Sequence, residues 1–340
     1  MKIEDRTMKR LIVTPRPIKR AHSELCLPTR GLCWLSLLLL LVFSPAGAQK
    51  RIVFTPQWMP QAQFAGYYVA KEKGFYKEEG LNVDIVPPSP SSSALSRIHN
   101  NECQYTTMQL CQAMQIIDQG VPLVNILQTS MNNSTMIVSR NNKNPLKLKG
   151  ARVAKWKDFG QMAVCMGKKE GLDYEWIPVG MSISLFIKGA YDAMLAMTHN
   201  EYYQLLQAGM TLSEENICRL SDCGYNVQDE GVYTTGEYYR NHKQEARKFA
   251  KASRKGWEWA AQHPKETVDI VMKYTREHFI GTNHVMQELM LKEVLRLQVD
   301  KQSGKREFRL RPDMVKKASD LMVECNLLNH EVKYEQLIMH

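Results

Sequence analysis

Amide side chains and aromatic rings recur where the predicted strands end and the following helices begin. Six such segments run over residues 57–68, 106–112, 131–135, 156–161, 198–203 and 221–226. Arginine is absent from all six, and Lys157 is the only lysine that they contain. An anion site normally brings arginine, or helix N termini with Ser, Thr and Gly. This set instead suits a neutral or weakly cationic planar ring, because aromatic faces stack on the ring while amides and carboxylates accept its N–H groups.

We predict the ligand-binding residues from these segments, beginning with Trp58, which lies between polar residues just after a strand. The predicted set comprises Gln57, Trp58, Gln63, Tyr67, Gln109, Asn132, Trp156, Asn200, Glu201, Tyr202 and Asp222. Aromatic residues in such segments also pack in hydrophobic cores. For Tyr67, Tyr68 and Phe159 the sequence supports a place in the core at least as well as a place in the site.

The sequence gives little support for catalysis. It lacks Gly-x-Ser-x-Gly, the P-loop pattern, Gly-x-Gly-x-x-Gly, Cys-x-x-Cys and His-Glu-x-x-His. The nine histidines are scattered, with no His/Cys cluster at metal-ligand spacing. Glu201 and Asp222 could do acid–base work, but without a metal site or nucleophile we expect them to accept ligand hydrogen bonds. We therefore predict no catalytic residue, no metal and no cofactor.

The first 48 residues are predicted to be a signal peptide. Residues 1–31 carry eight basic side chains against three acidic ones, and Leu32 to Phe43 is a continuous apolar run. Pro45 ends the run, and Ala46-Gly47-Ala48 supplies the small residues that signal peptidase recognises. We predict cleavage after Ala48 and a periplasmic or otherwise exported location. An uncleaved membrane anchor is the alternative.

The formal charge of +10 falls to a modest +5 once this segment is removed. No basic stripe interleaved with aromatic residues is present, so nucleic acid is not an expected partner. Eight cysteines fall to six, and the sequence does not choose among their possible pairings. Cys218 and Cys223 are close enough in sequence to close a short loop.

Predicted strands and helices alternate beyond the signal peptide. The strands cover 51–54, 81–86, 105–108, 121–129, 151–156, 175–179 and 193–198. The helices cover 64–73, 94–100, 109–119, 159–170 and 183–189, followed by a mostly helical region over 237–340. This order predicts an α/β protein with mainly parallel sheets that are flanked by helices.

A polar, turn-rich break at 141–145 separates two α/β units. We predict a first lobe formed by residues 49–137 and 233–340, and a second lobe, residues 138–232, inserted into it. In two-lobed folds of this kind the ligand lies in the cleft, where strand C-terminal ends and helix N termini converge. The crossings near 131–137 and 223–233 are the predicted hinge.

Several stretches carry a resemblance to a known family. They are Gln57-Trp58-Met59-Pro60-Gln61-Ala62-Gln63-Phe64-Ala65-Gly66-Tyr67-Tyr68-Val69-Ala70, Glu72 to Tyr76, Gly80 to Val83, Lys188 to Ala193, Asn200 to Tyr202, Glu230 to Tyr233, Ala252-Ser253 with Gly256-Trp257, and His263-Pro264 with Glu266. Together they resemble the thiamine-pyrimidine-synthase-like periplasmic binding proteins. The Gly-Phe-Tyr motif with a following Gly-Leu is also similar to the sulfonate, taurine and nitrate binders.

The resemblance implies a bilobed type II periplasmic-binding-protein fold that captures a small ligand for an ABC importer permease. The implied ligand is a thiamine precursor, formylaminopyrimidine or hydroxymethylpyrimidine. We also predict a monomer. Trp58 would lie against the pyrimidine, and Asn200, Glu201 and Tyr202 would mark the opposing wall of the cleft.

Two other functions remain open. Eukaryotic synthases of this family build the pyrimidine from pyridoxal phosphate and one of their own histidines. The position matching that histidine is Phe64, and the Cys-rich motif of those enzymes is missing, with Cys165-Met166-Gly167 no substitute for it. We therefore predict a binding protein and no enzyme. A sulfonate, taurine or nitrate binder would need a cationic cleft, which the six segments do not supply.

Overall fold

The computed structural model describes residues 50–89, 91–140, 143–180 and 182–338. The predicted signal peptide, residues 1–48, lies outside these described residues. None of the helices in the described part of the chain is long and apolar enough to cross a membrane.

Ten strands form two five-stranded sheets within the described residues. The strands are β1 Arg51–Thr55, β2 Asn82–Ile85, β3 Tyr105–Gln109, β4 Leu123–Gln128, β5 Thr135–Ser139, β6 Arg152–Trp156, β7 Glu175–Val179, β8 Ala193–Met197, β9 Ile217–Arg219 and β10 Glu230–Thr235. The first sheet has the order β2-β1-β3-β10-β4 and the second has the order β7-β6-β8-β5-β9. In each sheet a single strand, β10 or β5, runs antiparallel to its neighbours. The predicted fold class, two mainly parallel sheets flanked by helices, is confirmed.

Thirteen α-helices flank the sheets in the described residues. They are α1 Ala65–Glu72, α2 Phe75–Glu78, α3 Ala94–His99, α4 Leu110–Asp118, α5 Gln161–Lys169, α6 Ser184–Ile187, α7 Glu201–Gln207, α8 Gly236–Asn241, α9 Lys243–Gln262, α10 Pro264–Glu277, α11 His284–Leu297, α12 Pro312–Glu324 and α13 Tyr334–Leu337. Local sequence sets several of their starts. Ser93 and Asn283 cap α3 and α11 through their side-chain oxygens, and a proline opens both α10 and α12.

Strands β5, β9 and β10 were not among the predicted elements. β5 and most of β10 are buried, so neither shows the alternation of apolar and polar residues that a half-exposed strand shows. Their pairing depends on partners far away in sequence, since β10 inserts between β3 and β4. A buried strand with distant partners is decided by tertiary contacts more than by its own residues.

The chain crosses between the two sheets twice. It leaves the first sheet after β4 and enters the second at β5, and it returns between β9 and β10. The predicted lobe boundaries, 137/138 and 232/233, fall inside β5 and β10. The division of the chain into two lobes stays a prediction. If the lobes follow the sheets, their boundaries fall between β4 and β5 and between β9 and β10.

Helices α1 and α9 pack against each other at a close approach of their backbones. A Cβ atom placed on Gly256 would lie 2.0 Å from the carbonyl oxygen of Gly66 and 2.9 Å from the Cβ of Ala70. A Cβ atom on Gly66 would in turn meet the Trp257 ring at 2.2 Å. The two glycines therefore allow α9 to bring the fully buried Trp257 ring against α1 and the core of the first sheet.

Cys218 and Cys223 lie next to each other at the edge of the second sheet. Their Sγ atoms are 2.7 Å apart, and Cys218 is buried on β9. This separation is longer than a disulfide bond, so the sequence expectation that the pair could close a short loop stays a prediction. All six cysteines of the described residues are free thiols in the structure.

Candidate functional site

A cavity lies between the two sheets, at the ends of several of their strands. It holds about 70 Å³ of space open to water, which suits a few water molecules or one small ring. Its lining is Gln57, Trp58, Gln61, Gln63, Gln109, Thr129, Ser130, Ser134, Trp156, Phe159, Met197, His199, Asn200, Glu201, Asp229, Glu230, Trp257, Val294, Leu297 and Gln298. Among these described residues there is no lysine or arginine. The cavity therefore combines carboxyl groups, amides and aromatic rings without a permanent cation.

Glu230 is the centre of the polar wall on the side of the first sheet. It begins β10, and its Oε2 atom accepts hydrogen bonds from the Nε2 atoms of Gln57 and Gln63, both at 2.6 Å. Gln57 follows β1 and is fixed by its backbone N–H, which donates to Thr107 Oγ1 at 2.9 Å. Gln61 donates to Gln63 Oε1 at 2.6 Å. The amides thus hold one buried carboxyl group in place at the edge of the cavity.

Glu201 forms the corresponding carboxyl group on the side of the second sheet. It begins α7, and its Oε2 atom accepts the backbone N–H of Met197 at 2.9 Å. Asn200 Nδ2 donates to its other oxygen at 2.8 Å. His199 is buried beside them, and its Nδ1 atom has no hydrogen-bond partner among the described residues. This wall can therefore accept hydrogen bonds through Glu201, and the unpartnered Nδ1 atom of His199 can form one more.

Aromatic rings from both sheets meet across the cavity. The rings of Trp58, after β1, and Phe159, after β6, have centroids 6.3 Å apart with an interplanar angle of 77°. Trp156 ends β6 and lines the same space. Such an edge-to-face contact is a favoured arrangement of aromatic rings. The two sides of the cleft thus touch through aromatic groups that can also cover a planar ligand.

The carboxyl groups of the cavity take up protons more readily than exposed ones. Burial raises the pKa of Glu230 to about 8, and the neighbouring Asp229 charge adds to the effect. Burial raises the pKa of Glu201 to about 7 and also raises that of Asp229. Burial lowers the pKa of His199 to about 4, so its ring is neutral near pH 7. The cavity therefore offers a neutral imidazole and carboxyl groups that can donate as well as accept.

Seven of the predicted site residues line this cavity. They are Gln57, Trp58, Gln63, Gln109, Trp156, Asn200 and Glu201. Phe159, for which the sequence supported a core place at least equally, also lines it. Their common property is a position at the end of a strand or the start of a helix, as the sequence argument required.

Four predicted site residues lie elsewhere. The Tyr67 ring is fully buried between Phe54 and Trp257, because its face of α1 packs on the first sheet. Asn132 turns its amide to the backbone oxygens of Leu297 and Val299.

The remaining two predicted residues, Tyr202 and Asp222, lie on the side of the second sheet. Tyr202 packs against the core of that sheet, and Asp222 is an exposed carboxylate 3.1 Å from Lys301 Nζ. These four residues do not line the cavity, and their part in ligand binding stays a prediction.

Several lining residues were missed. Asp229 and Glu230 lie at the second crossing, in a segment for which no strand was predicted. Trp257 and Glu230 stand in the stretches quoted for the family resemblance, which was the signal that could have found them. Val294, Leu297 and Gln298 come from the end of α11, and no sequence pattern distinguishes that end from other helix ends.

The two crossings are joined by a dense set of hydrogen bonds. Ser134 donates to Asp229 Oδ2 through its backbone N–H at 3.0 Å and through its hydroxyl at 2.5 Å. The backbone N–H groups of Thr129 and Ser130 both donate to the backbone carbonyl oxygen of Glu230, at 3.0 and 2.9 Å. Gln128 Nε2 donates to the same oxygen at 2.9 Å. The segments predicted as a hinge are therefore paired directly beneath the cavity.

Stability is expected to fall as pH rises from about 6.5 to 8 because of these carboxyl groups. The folded-state pKa of Glu230, about 8, exceeds the ordinary value of 4.5. Its favourable contribution is therefore complete below about pH 4.5, declines as pH rises above that value, and is fully lost once pH exceeds about 8. The lowered pKa of His199 has the opposite effect, because its contribution to stability rises with pH. That contribution is complete above its ordinary pKa of 6.5, so it does not change at higher pH. Between about pH 6.5 and 8 the free energy of unfolding should therefore drop, by at most about 1.4 kcal/mol per pH unit for each carboxyl that is still protonated in the folded state and already ionised in the unfolded state.

Urea unfolding at a series of pH values measures this slope. Glu230→Gln should flatten it, because an amide can still accept from Gln57 and Gln63 but does not titrate. Glu335→Gln, at an exposed position, is the control and should keep the wild-type slope. An unchanged slope in Glu230→Gln would contradict the assignment of the titration to this group.

Comparison with known proteins is consistent with this geometry. A family model described as NMT1/THI5 like matches residues 61–267. The chain is 25% identical over 230 residues to the formylaminopyrimidine-binding protein of Halalkalibacterium halodurans, covering 63% of this chain and 68% of that protein. It is 22% identical over 240 residues to a 4-amino-5-hydroxymethyl-2-methylpyrimidine phosphate synthase of Saccharomyces cerevisiae, covering 64% and 71%.

A solved structure shares the fold. The periplasmic aliphatic sulphonate binding protein of Escherichia coli superimposes with a TM-score of 0.60 at 14% identity, over 86% of this chain and 93% of that one. At this level of identity the likeness concerns the arrangement of the sheets and helices alone.

Proposed function

Because this chain belongs to the NMT1/THI5 like family, we propose that it is an exported solute-binding protein of an ABC importer. Its ligand is a small planar thiamine precursor, formylaminopyrimidine or 4-amino-5-hydroxymethyl-2-methylpyrimidine, held between the two sheets. The observation that carries this proposal is the cavity itself, which is lined by buried carboxyl groups, amides and aromatic rings from both sheets and by no described lysine or arginine.

An aminopyrimidine matches the chemistry of this lining. Its amino group donates hydrogen bonds and its ring nitrogens accept them, while its faces are apolar. Glu201 can accept from the amino group, and a protonated Glu230 can donate to a ring nitrogen. Trp58 and Trp156 supply aromatic faces and edges around the ring. The ligand is expected to bind in a slot between two polar walls.

Closure of the cleft around the ligand follows from the same arrangement. Trp58 and Phe159 approach from opposite sheets, so separating the lobes would open the cavity to solvent. The paired crossings that contain Ser134 and Asp229 are the segments about which such a motion would turn. We therefore propose the lobes predicted from the sequence as the two moving bodies.

Binding without turnover is the activity that the residues favour. Phe64, at the position where the resembling synthases carry their histidine, is fully buried in the core and has no acid–base chemistry. The synthase remains the second candidate because several relatives bear that name. A sulfonate or nitrate binder is disfavoured because the described cavity lining offers no lysine or arginine to neutralise an anion.

The remaining parts of the proposal concern location and partners. The predicted signal peptide with cleavage after Ala48 supports export to the periplasm or its equivalent. The permease of an ABC importer would then receive the ligand from a monomeric binding protein. No cofactor is required for this activity.

Thermal denaturation against a panel of ligands tests the proposed function. The panel contains formylaminopyrimidine, 4-amino-5-hydroxymethyl-2-methylpyrimidine, thiamine, taurine, an alkanesulfonate, nitrate and pyridoxal phosphate. A ligand at 100 times its Kd stabilises the folded protein by about 2.7 kcal/mol, so the melting temperature should rise with an aminopyrimidine. A rise with a sulfonate or nitrate alone would refute the proposed ligand class. A rise with pyridoxal phosphate, followed by loss of intact protein mass, would favour the synthase.

A further inference from the structure

Gln298 lines the cavity, and its buried carboxamide has no hydrogen-bond partner among the described residues. It follows α11 directly and its side chain is fully buried. Its backbone is fixed by two hydrogen bonds. The backbone N–H of Gln298 donates to the Val294 carbonyl oxygen at 3.3 Å, and the backbone carbonyl oxygen of Gln298 accepts from the Glu307 N–H at 3.1 Å. Its Oε1 and Nε2 atoms both lack a hydrogen-bond partner among the described residues.

Other buried glutamines of the described chain show what a satisfied carboxamide looks like. Gln287, on the same helix, accepts from Ala62 N at 2.7 Å and donates to Thr282 Oγ1 at 2.9 Å. Gln128 donates to several backbone oxygens and accepts from Asn125 at 2.9 Å. Buried polar groups in native proteins are nearly always paired, so two orphaned atoms on one cavity-lining side chain call for a partner that is not part of the protein.

We propose that Gln298 recognises a ligand edge on which a hydrogen-bond acceptor and a donor stand side by side. This inference rests on the proposed function and deepens it, since it specifies which face of the ligand is recognised. An amino group next to a ring nitrogen has this arrangement, and a glutamine amide pairs with it through two parallel hydrogen bonds, as it does with adenine.

The surroundings of Gln298 limit the alternatives. Val294 and Leu297 line the cavity beside it and cannot hydrogen-bond through their side chains. A sulfonate or nitrate offers acceptors only, so the Oε1 atom would stay unpaired in the complex. A donor–acceptor edge satisfies both amide atoms at once. Gln298 is therefore assigned as a specificity-determining residue for an amino-substituted nitrogen heterocycle.

A double-mutant cycle between protein and ligand tests the assignment. The two probes are 4-amino-5-hydroxymethyl-2-methylpyrimidine and its analogue without the amino group, and the protein variant is Gln298→Met, which keeps the length of the side chain. Wild type should bind the amino ligand roughly 10- to 100-fold more tightly than the analogue. Gln298→Met should lose most of that preference while binding the analogue about as well as wild type.

Stability of the ligand-free protein separates recognition from a structural role. Because Gln298 has no protein partner, Gln298→Met should keep or raise the melting temperature, whereas Gln287→Met, which breaks two bonds, should lower it. An unchanged preference in Gln298→Met, or a fall in its ligand-free melting temperature like that of Gln287→Met, would overturn this inference alone. Failure of wild type to bind either pyrimidine would overturn the proposed function together with it.

Discussion

Trp58→Ala is expected to weaken binding of the cleft ligand by roughly 30-fold or more while the protein stays folded. The ring is half-buried, lines the cavity and approaches Phe159 from the opposite sheet. Large aromatic residues at the centre of an interface often contribute about 2 kcal/mol or more to binding, which corresponds to that loss. Truncation also removes the edge-to-face contact with Phe159, so the closed form loses an aromatic contact that joins the two sides of the cleft.

Isothermal titration calorimetry with the aminopyrimidine that stabilises wild type measures the loss. Trp259→Ala is the matched control, because Trp259 is another half-buried tryptophan of the same core but stacks on His263 outside the cavity. Its affinity should equal that of wild type. Trp58→Phe should retain part of the affinity, since a smaller aromatic face remains. Wild-type affinity in Trp58→Ala would show that the ligand does not lie against this ring.

Gly256→Ala is expected to destabilise the protein by about 3 kcal/mol or more, although alanine is the better helix former. The new methyl group would overlap the Gly66 oxygen, at 2.0 Å, and crowd Ala70. These contacts are backbone and Cβ atoms of α1, which cannot rotate away. The helices must therefore separate, and Trp257 must leave its place against α1 at the edge of the cavity.

Urea unfolding of Gly256→Ala beside Gly281→Ala tests this expectation. Gly281 is exposed, and a Cβ atom there would meet no other atom within 4 Å. Its replacement should change stability by less than about 0.5 kcal/mol. If Gly256→Ala were as stable as Gly281→Ala, the close approach of α1 and α9 would not be required by the fold.

The residue types around the cleft followed from the sequence by itself. Gln57 and Trp58 come within three residues of the end of a strand, Gln109 and Trp156 end strands, and Glu201 begins a helix. Because strand C-terminal ends and helix N termini converge at the cleft of such folds, local patterns were enough to bring these five together. The alternation of strands and helices likewise predicted two sheets, since each element is encoded by residues next to one another.

Tertiary structure alone decided which faces point into the cavity and which distant residues complete it. Tyr67 has the same surroundings in sequence whether its ring faces the cleft or the core, and packing against Phe54 and Trp257 settles the matter. Glu230 owes its role to the insertion of β10 between β3 and β4. Gln298 becomes a buried, unpaired amide only because the end of α11 reaches the cavity. Burial and hydrogen-bond pairing depend on contacts between segments far apart in the chain, and such contacts leave no local pattern to read.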